Sequence, residues 1–310
     1  MTDVLTLTTN GFNSPELSTY YDDVFLERAE QNMTYDVLFT KKTLPKNSGK
    51  VIFFTRQTPR AVATTALSEG VTPSAISTSS VNVSATIAEY GDWEKISSLF
   101  SNTTIDKGLK ERVEVMGQAA GETIDTLLRD ILDDTTTVQL ANSKAHASAI
   151  ASTDTMSVVE LRKAVKTLKR NKAPKFEDGF YRGVLNVGAV YDLQGDSNQG
   201  NFVTANQYKT PEDIKKGEIG RLGGVIVFET NNEEIDGTYS NVYSSFIAGK
   251  GCAAMVDLNG AGAGVSMKTS GANDTSNPLD MYSTLAWKIP AFAGTILNHN
   301  WVVNVKTYSV

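Results

Sequence analysis

The chain has 310 residues, 40% hydrophobic and 21% charged, with a formal net charge of −6 and a sequence pI near 5.1. That composition excludes a disordered or membrane-embedded class, and the length supplies core for one large domain or two ordinary ones. The acidic balance argues against a protein built to grip nucleic acid, and a single cysteine, Cys252, excludes a disulfide framework or a cysteine metal cluster.

No Lys or Arg precedes Arg28, so the first residues lack the positive region of a secretory signal. No window approaches the roughly 20 apolar residues of a membrane span. A soluble chain made in the cytosol, with no membrane partner, is expected. Ser14-Pro15 opens a helix, because Ser caps and Pro suits the first helical position. Leu17, Tyr21, Val24, Phe25 and Ala29 follow helical spacing to Asn32. Residues 1–49 show no core of their own, which suits an arm that packs on something else.

The period then changes. Val51-Ile52-Phe53-Phe54 reads as a buried strand, and Val81, Val83, Ala85 and Ile87 alternate with smaller or polar residues in strict period two. Two strands so far apart in sequence predict a long two-stranded projection, marginal alone in water and in need of a neighbour. Thr103 and Asp106 have capping-box spacing before the strongest helix, Ile105 to Leu132. Its expected apolar stripe is Ile105, Leu109, Val113, Met116, Ala120, Ile124, Leu127 and Ile131, and Asp125 is expected to pair with Arg129 four residues on.

A second capping box, Ser157 to Glu160 with Met156 and Leu161 as its hydrophobic staple, opens a helix that must stop before Pro174. The basic run from Arg162 to Lys175 reads as its solvated face. Strands are expected at Val184–Leu193, Val225–Thr230, Tyr243–Ala248 and Ala253–Leu258, with a short helix from Thr210-Pro211 to Gly217. The end of the chain alternates again, Trp301, Val303 and Val305 against Val302, Asn304 and Lys306. The class is α+β, with no βαβ repeat visible.

Chemistry is thin along the chain. His146 and His299 have no partner at metal-ligand spacing. A Ser-His-Asp triad stays open, because its members need not be neighbours, but no Gly-x-Ser-x-Gly elbow supports one. The glycine-rich stretch 259–264 and Gly249-Lys250-Gly251 lack the spacing of dinucleotide and phosphate loops and read as turns. Asn232 to Gly237 imitates a calcium loop, yet Tyr243 stands where the bidentate Glu belongs, leaving at most a weak cation site. No catalytic, cofactor or metal residue is assigned.

Residues 44–73 (LPKNSGKVIFFTRQTPRAVATTALSEGVTP), 217–231 (GEIGRLGGVIVFETN), 277–288 (NPLDMYSTLAWK) and 296–301 (ILNHNW) carry a different kind of signal. In this order they resemble the major capsid proteins of tailed bacteriophages, of the Hong Kong 97-type fold and closest to a podovirus-type branch. The resemblance implies an amino-terminal arm (1–49), an extended β-hairpin loop (50–92), a spine helix with peripheral domain (93–180), an axial domain (181–271) and a return to the peripheral domain (272–310). It implies a non-enzymatic subunit that self-assembles into hexamers and pentamers of an icosahedral shell around double-stranded DNA, without sequence-specific binding. Implied partners are a separate scaffolding protein, a portal and an optional decoration protein, and the implied location is the virion. Arg56, Arg60 and Glu69 are the implied inter-subunit contacts. Removing residues 1–40 is then expected to leave a soluble subunit unable to close a shell.

Some members of that fold class cross-link subunits through a loop lysine and a neighbour's asparagine. Residues 51–94 contain no lysine, so non-covalent contacts are expected here. An encapsulin-like compartment protein and, from another class, a hydrolase or ligand-binding protein with an unrecognised site are the alternatives.

Overall fold

The computed structural model describes residues 15–42, 49–58, 60, 62–67, 69–72, 74–97, 108–196, 203–204, 218–239, 241–256, 264–268, 279 and 281–309. Helix α1 spans Pro15–Asn32 and is followed by a short 3-10 turn and strand β1 (Phe39–Lys42). Strands β2 (Val51–Gln57), β3 (Ser80–Thr86) and β4 (Ala88–Ser97) precede the long helix α2 (Gly108–Asp133), about 39 Å at 1.5 Å per residue. Next come β5 (Val138–Leu140), α3 (Val158–Arg170), β6 (Tyr181–Asn186) and α4 (Val187–Gly195). The chain continues through β7 (Val203–Thr204), β8 (Glu218–Leu222), β9 (Val225–Thr230), β10 (Glu234–Ile235), β11 (Val242–Ala248) and β12 (Ala253–Val256). It ends with β13 (Gly264–Lys268), β14 (Tyr282–Phe292), β15 (Gly294–Ile296) and β16 (Val302–Tyr308). The Thr103–Asp106 cap, the short helix at 210–217 and the glycine run at 259–263 lie outside the described residues.

The centre is an eight-stranded sheet in the order β5-β16-β11-β6-β9-β8-β7, with β10 paired to β11. Alternate residues of one strand feed two cores. Val225 and Val227 face the side covered by α3 and α4, while Ile226 and Phe228 face the side of α2. Strand β16 does the same, with Val303 and Val305 on the first side and Val302 on the second. Its alternation was expected to separate a buried from a less apolar face, but both are buried, as befits a strand with helices on each side. The sheet draws on residues 138–140 and 302–308 as well as 181–248, so it crosses the boundaries expected at 180 and 271.

Three elements differ from expectation for identifiable reasons. Residues 187–195 form a helix rather than the end of a strand, because Asn186 caps it by accepting from the Ala189 amide at 3.0 Å. Ala189, Val190 and Leu193 then fall on one buried helical face. Strands β6 and β9 pair in parallel, and the chain passes between them through this helix, β7 and β8. The fully buried α2 stripe continues through Leu128 and Leu132, with the expected Leu127 and Ile131 partly buried against the same core. On a 3.6-residue helix each step of four turns the seam by about 40°, so its later part spreads over both pairs. At α3 the cap is half of a box. Ser157 Oγ accepts from the Glu160 amide at 3.4 Å, but the buried Glu160 carboxylate turns to Gln139 Nε2, the Asn142 amide and Lys163.

The amino-terminal segment finds its partner within its own chain. Phe25, Met33, Tyr35, Leu38 and Phe39 enter the core beside Val113, Ala120, Ile124 and Leu128 of α2, and β1 pairs in parallel with β12. Close approach is permitted by glycine: a Cβ on Gly121 would lie 2.4 Å from the Ala29 carbonyl oxygen. These residues belong to the central core of the subunit, where the sequence suggested an arm without a core of its own.

Candidate functional site

The ribbon of β2 and β3 is the part of the described chain least covered by the rest. Its register runs from Val51↔Thr86 to Gln57↔Ser80, and the Ile87 and Thr58 amides extend it at either end. Pleating sends Ile52, Phe54 and Ala85 toward Ala254, Val256 and Ala293, a small core at the foot of the ribbon. Lys42 Nζ sits 5.0 Å from the Phe54 ring centroid and closes that foot. The opposite face is open. Val51 and Phe53, read from sequence as part of a buried run, are exposed, Phe53 by 64%. A two-stranded sheet has one face to cover it and one without.

Beyond the strands the exposure continues through Val62, Leu67, Val71 and Ile76, with Leu67 at 77%. Scattered exposed apolar residues are ordinary, but this run belongs to a single projection. The three residues assigned from sequence occupy different stations on it. Arg56 shares the inward face of β2 opposite Val81, half-buried, and its Nε is buried without a hydrogen-bond partner. Arg60 donates from Nε to Thr78 Oγ1 at 2.9 Å and from Nη2 to the Ile76 carbonyl at 3.0 Å, tying the two legs of the tip together. Glu69 is exposed beside Gly70, whose φ of +77° makes the turn. No hydrogen bond or ion pair joins the three.

The remaining candidates resolve as structure. His146 and His299 are exposed, and among the described residues no group of three or more metal-ligating side chains converges. The calcium-like stretch is spent on internal contacts. Glu234 pairs with Arg129 at 2.6 Å, and Asp236 accepts from Lys306 at 2.8 Å, a bond that holds its carboxyl below the usual range. Arg129 is thereby withdrawn from Asp125, its expected partner. The Cys252 thiol is buried, and burial pushes its pKa up to about 12, so it is unreactive at neutral pH.

No protein-family model matches the sequence, and no curated protein matches it. Solved structures do match. The capsid of Ralstonia phage GP4 aligns over 91% of this chain and 90% of its own with a TM-score of 0.74 at 14% identity. The chain has the Hong Kong 97-type capsid fold. The capsid protein of cyanophage P-SCSP1u shares it at TM-score 0.62 and 14% identity, covering 90% of this chain and 89% of its own. A virus-like particle from Pyrococcus furiosus shares it at TM-score 0.52 and 12% identity, covering 94% and 99%. At these identities the capsid fold persists through packing pattern rather than through residue identity, which is why no sequence-based comparison finds it.

Proposed function

We propose that this chain is the major capsid protein of a tailed phage, a structural subunit that self-assembles into hexamers and pentamers of an icosahedral shell enclosing double-stranded DNA. The observation that carries the reading is the ribbon: within a capsid fold, its apolar outer face and tip are exposed among the described residues. A neighbouring copy covers them, with Arg56, Arg60 and Glu69 among the contacts. Many modest interfaces repeated over a closed lattice then make a stable container.

The reading carries the rest of the expected biology with it. Synthesis is in the host cytoplasm and the destination is the virion. A scaffolding protein, a portal and an optional decoration protein are separate chains, and the subunit performs no catalysis. We keep the five-part division as a reading and redraw its bounds: β5 and β16 join the axial sheet, while α1, α2 and the β4-β14-β13 sheet go with the peripheral part. An encapsulin-like compartment is the second reading, favoured less because the virus-like particle aligns at 0.52 against 0.74 for the phage capsid.

Electron microscopy of the purified protein tests the proposal. Closed icosahedral particles are expected, and a protein that stays monomeric at every concentration would overturn it. Particles that instead retain an enzyme cargo from the expression host would favour the second reading.

A further inference from the structure

The solvent face of α3 is polarised in a way that the ribbon does not explain. Val159, Arg162, Lys166, Lys169 and Arg170 are exposed along it, at the spacing of one helical stripe. Among the described residues the four cations make no ion pair or side-chain hydrogen bond, in contrast to Lys163, which is drawn to Glu160. The stripe ends at Lys172, whose φ of +53° is a left-handed conformation that glycine or asparagine adopts at lower cost. Asn171 fixes this turn by donating to the Asn300 carbonyl at 3.0 Å. The basic end is therefore held in place rather than splayed.

At its other end the stripe opens into a groove of about 690 Å³ between the start of α3 and α4. Val159, Tyr191, Asp192 and Asp196 line it. Tyr191 is 78% exposed and Val159 47%, a large apolar surface for a single groove in one chain. Burial alone raises the Asp192 carboxyl above the usual range, so an incoming cation would find an anion already partly stripped of water. Val159 and Arg170 are separated by about 16 Å of helix, too far for one copy to satisfy its own groove.

We infer that the basic end of α3 in one copy seats in the Tyr191–Asp192 groove of a neighbouring copy. The chemistry matches at both contacts. A guanidinium or ammonium group covers an exposed tyrosine ring, and the same stripe reaches the Asp192 carboxylate that lines the groove. Charge complementarity between the basic end of α3 and Asp192 of α4 selects a second copy of this chain over a different partner, since each copy supplies both halves. The inference rests on the reading of the chain as a self-assembling subunit.

The test is charge exchange on the full chain, read by sedimentation velocity, which reports association whether or not closed particles form. K166E/K169E/R170E and, separately, D192K should each raise the concentration needed for association at least tenfold. The two sets combined in one chain should restore it to within about threefold of the unaltered protein. Thermal melts of the dissociated subunits should coincide for all four proteins, because Lys166, Lys169 and Arg170 are exposed and Asp192 borders an open groove. Unchanged association in either single set, or no recovery in the combination, overturns the inference while leaving shell assembly by the ribbon intact. A loss of duplex-DNA binding by the basic-end variant with association unchanged also overturns it, assigning the stripe to phosphate instead.

Discussion

Tyr35 donates its backbone amide to Asp125 Oδ1 at 2.8 Å, across ninety residues of sequence, and Thr34 donates to the same oxygen at 2.7 Å. Asn232 Nδ2 takes the other carboxylate oxygen at 3.0 Å. One side chain on α2 thus ends the amino-terminal helix segment and anchors the turn after β9. Burial raises the Asp125 carboxyl above its usual range, and these three donors oppose that rise. Asp125→Ala should cost about 2–4 kcal/mol, because it leaves buried amides without an acceptor. Asp125→Asn should recover only part, since its amide would face that of Asn232. Urea denaturation of the unassembled subunit measures both.

Deleting residues 1–40 should unfold the subunit instead of yielding a folded, assembly-defective one. The deletion removes Phe25, Met33, Tyr35 and Leu38, all in the central core. Burial of each such side chain contributes about 1.5–3 kcal/mol, against a total stability of about 5–15 kcal/mol. Loss of a cooperative thermal transition in circular dichroism is the expected outcome, and a sharp melt would contradict it.

Gly121→Ala offers a test whose sign differs from propensity. In an exposed helix interior the change would stabilise by about 1 kcal/mol. Here the new methyl would meet the Ala29 carbonyl, a backbone atom that cannot turn aside. Destabilisation of about 1–3 kcal/mol is expected from the forced separation of α1 and α2. A chemical melt with unchanged denaturant dependence would measure it directly.

On the ribbon, Phe53→Ser should leave the melting temperature of the subunit within about a degree and sharply reduce particle yield, because the ring is open to solvent in one chain. Arg60→Glu should also impair assembly, with an added local effect: loss of its two bonds across the tip should speed proteolysis between residues 60 and 78. Wild-type yield of particles from Phe53→Ser, counted by electron microscopy, would remove the ribbon from the interface.

Particles boiled in detergent should release a single band near 33.5 kDa. Lys95, which bounds the lysine-free segment, rests over the Trp93 and Tyr282 rings at about 5 Å and lies at the foot of the projection. Cys252 is sealed in the core. Higher bands that survive reductant would show a covalent lattice.

What the sequence determined by itself is what depends on near neighbours in the chain. The period-two run at 81–87, the fours and threes of α2, the Ser157 cap and the stop before Pro174 are local. Tertiary structure decided what depends on who comes to stand opposite. Phe53 and Phe54 are chemically alike, and only the arrival of Ala254, Val256 and Ala293 on one face makes Phe54 core and leaves Phe53 open. Asp125 and Arg129 have the spacing of a helical ion pair, but Tyr35 and Glu234 come from distant segments to take them apart. Val187 to Leu193 has strand-like composition, and the cap from Asn186 together with a buried face against the sheet turns it into a helix. Local propensities differ by tenths of a kcal/mol per residue, whereas burial and buried hydrogen bonds are worth whole ones, so the long-range contacts prevail wherever the two disagree.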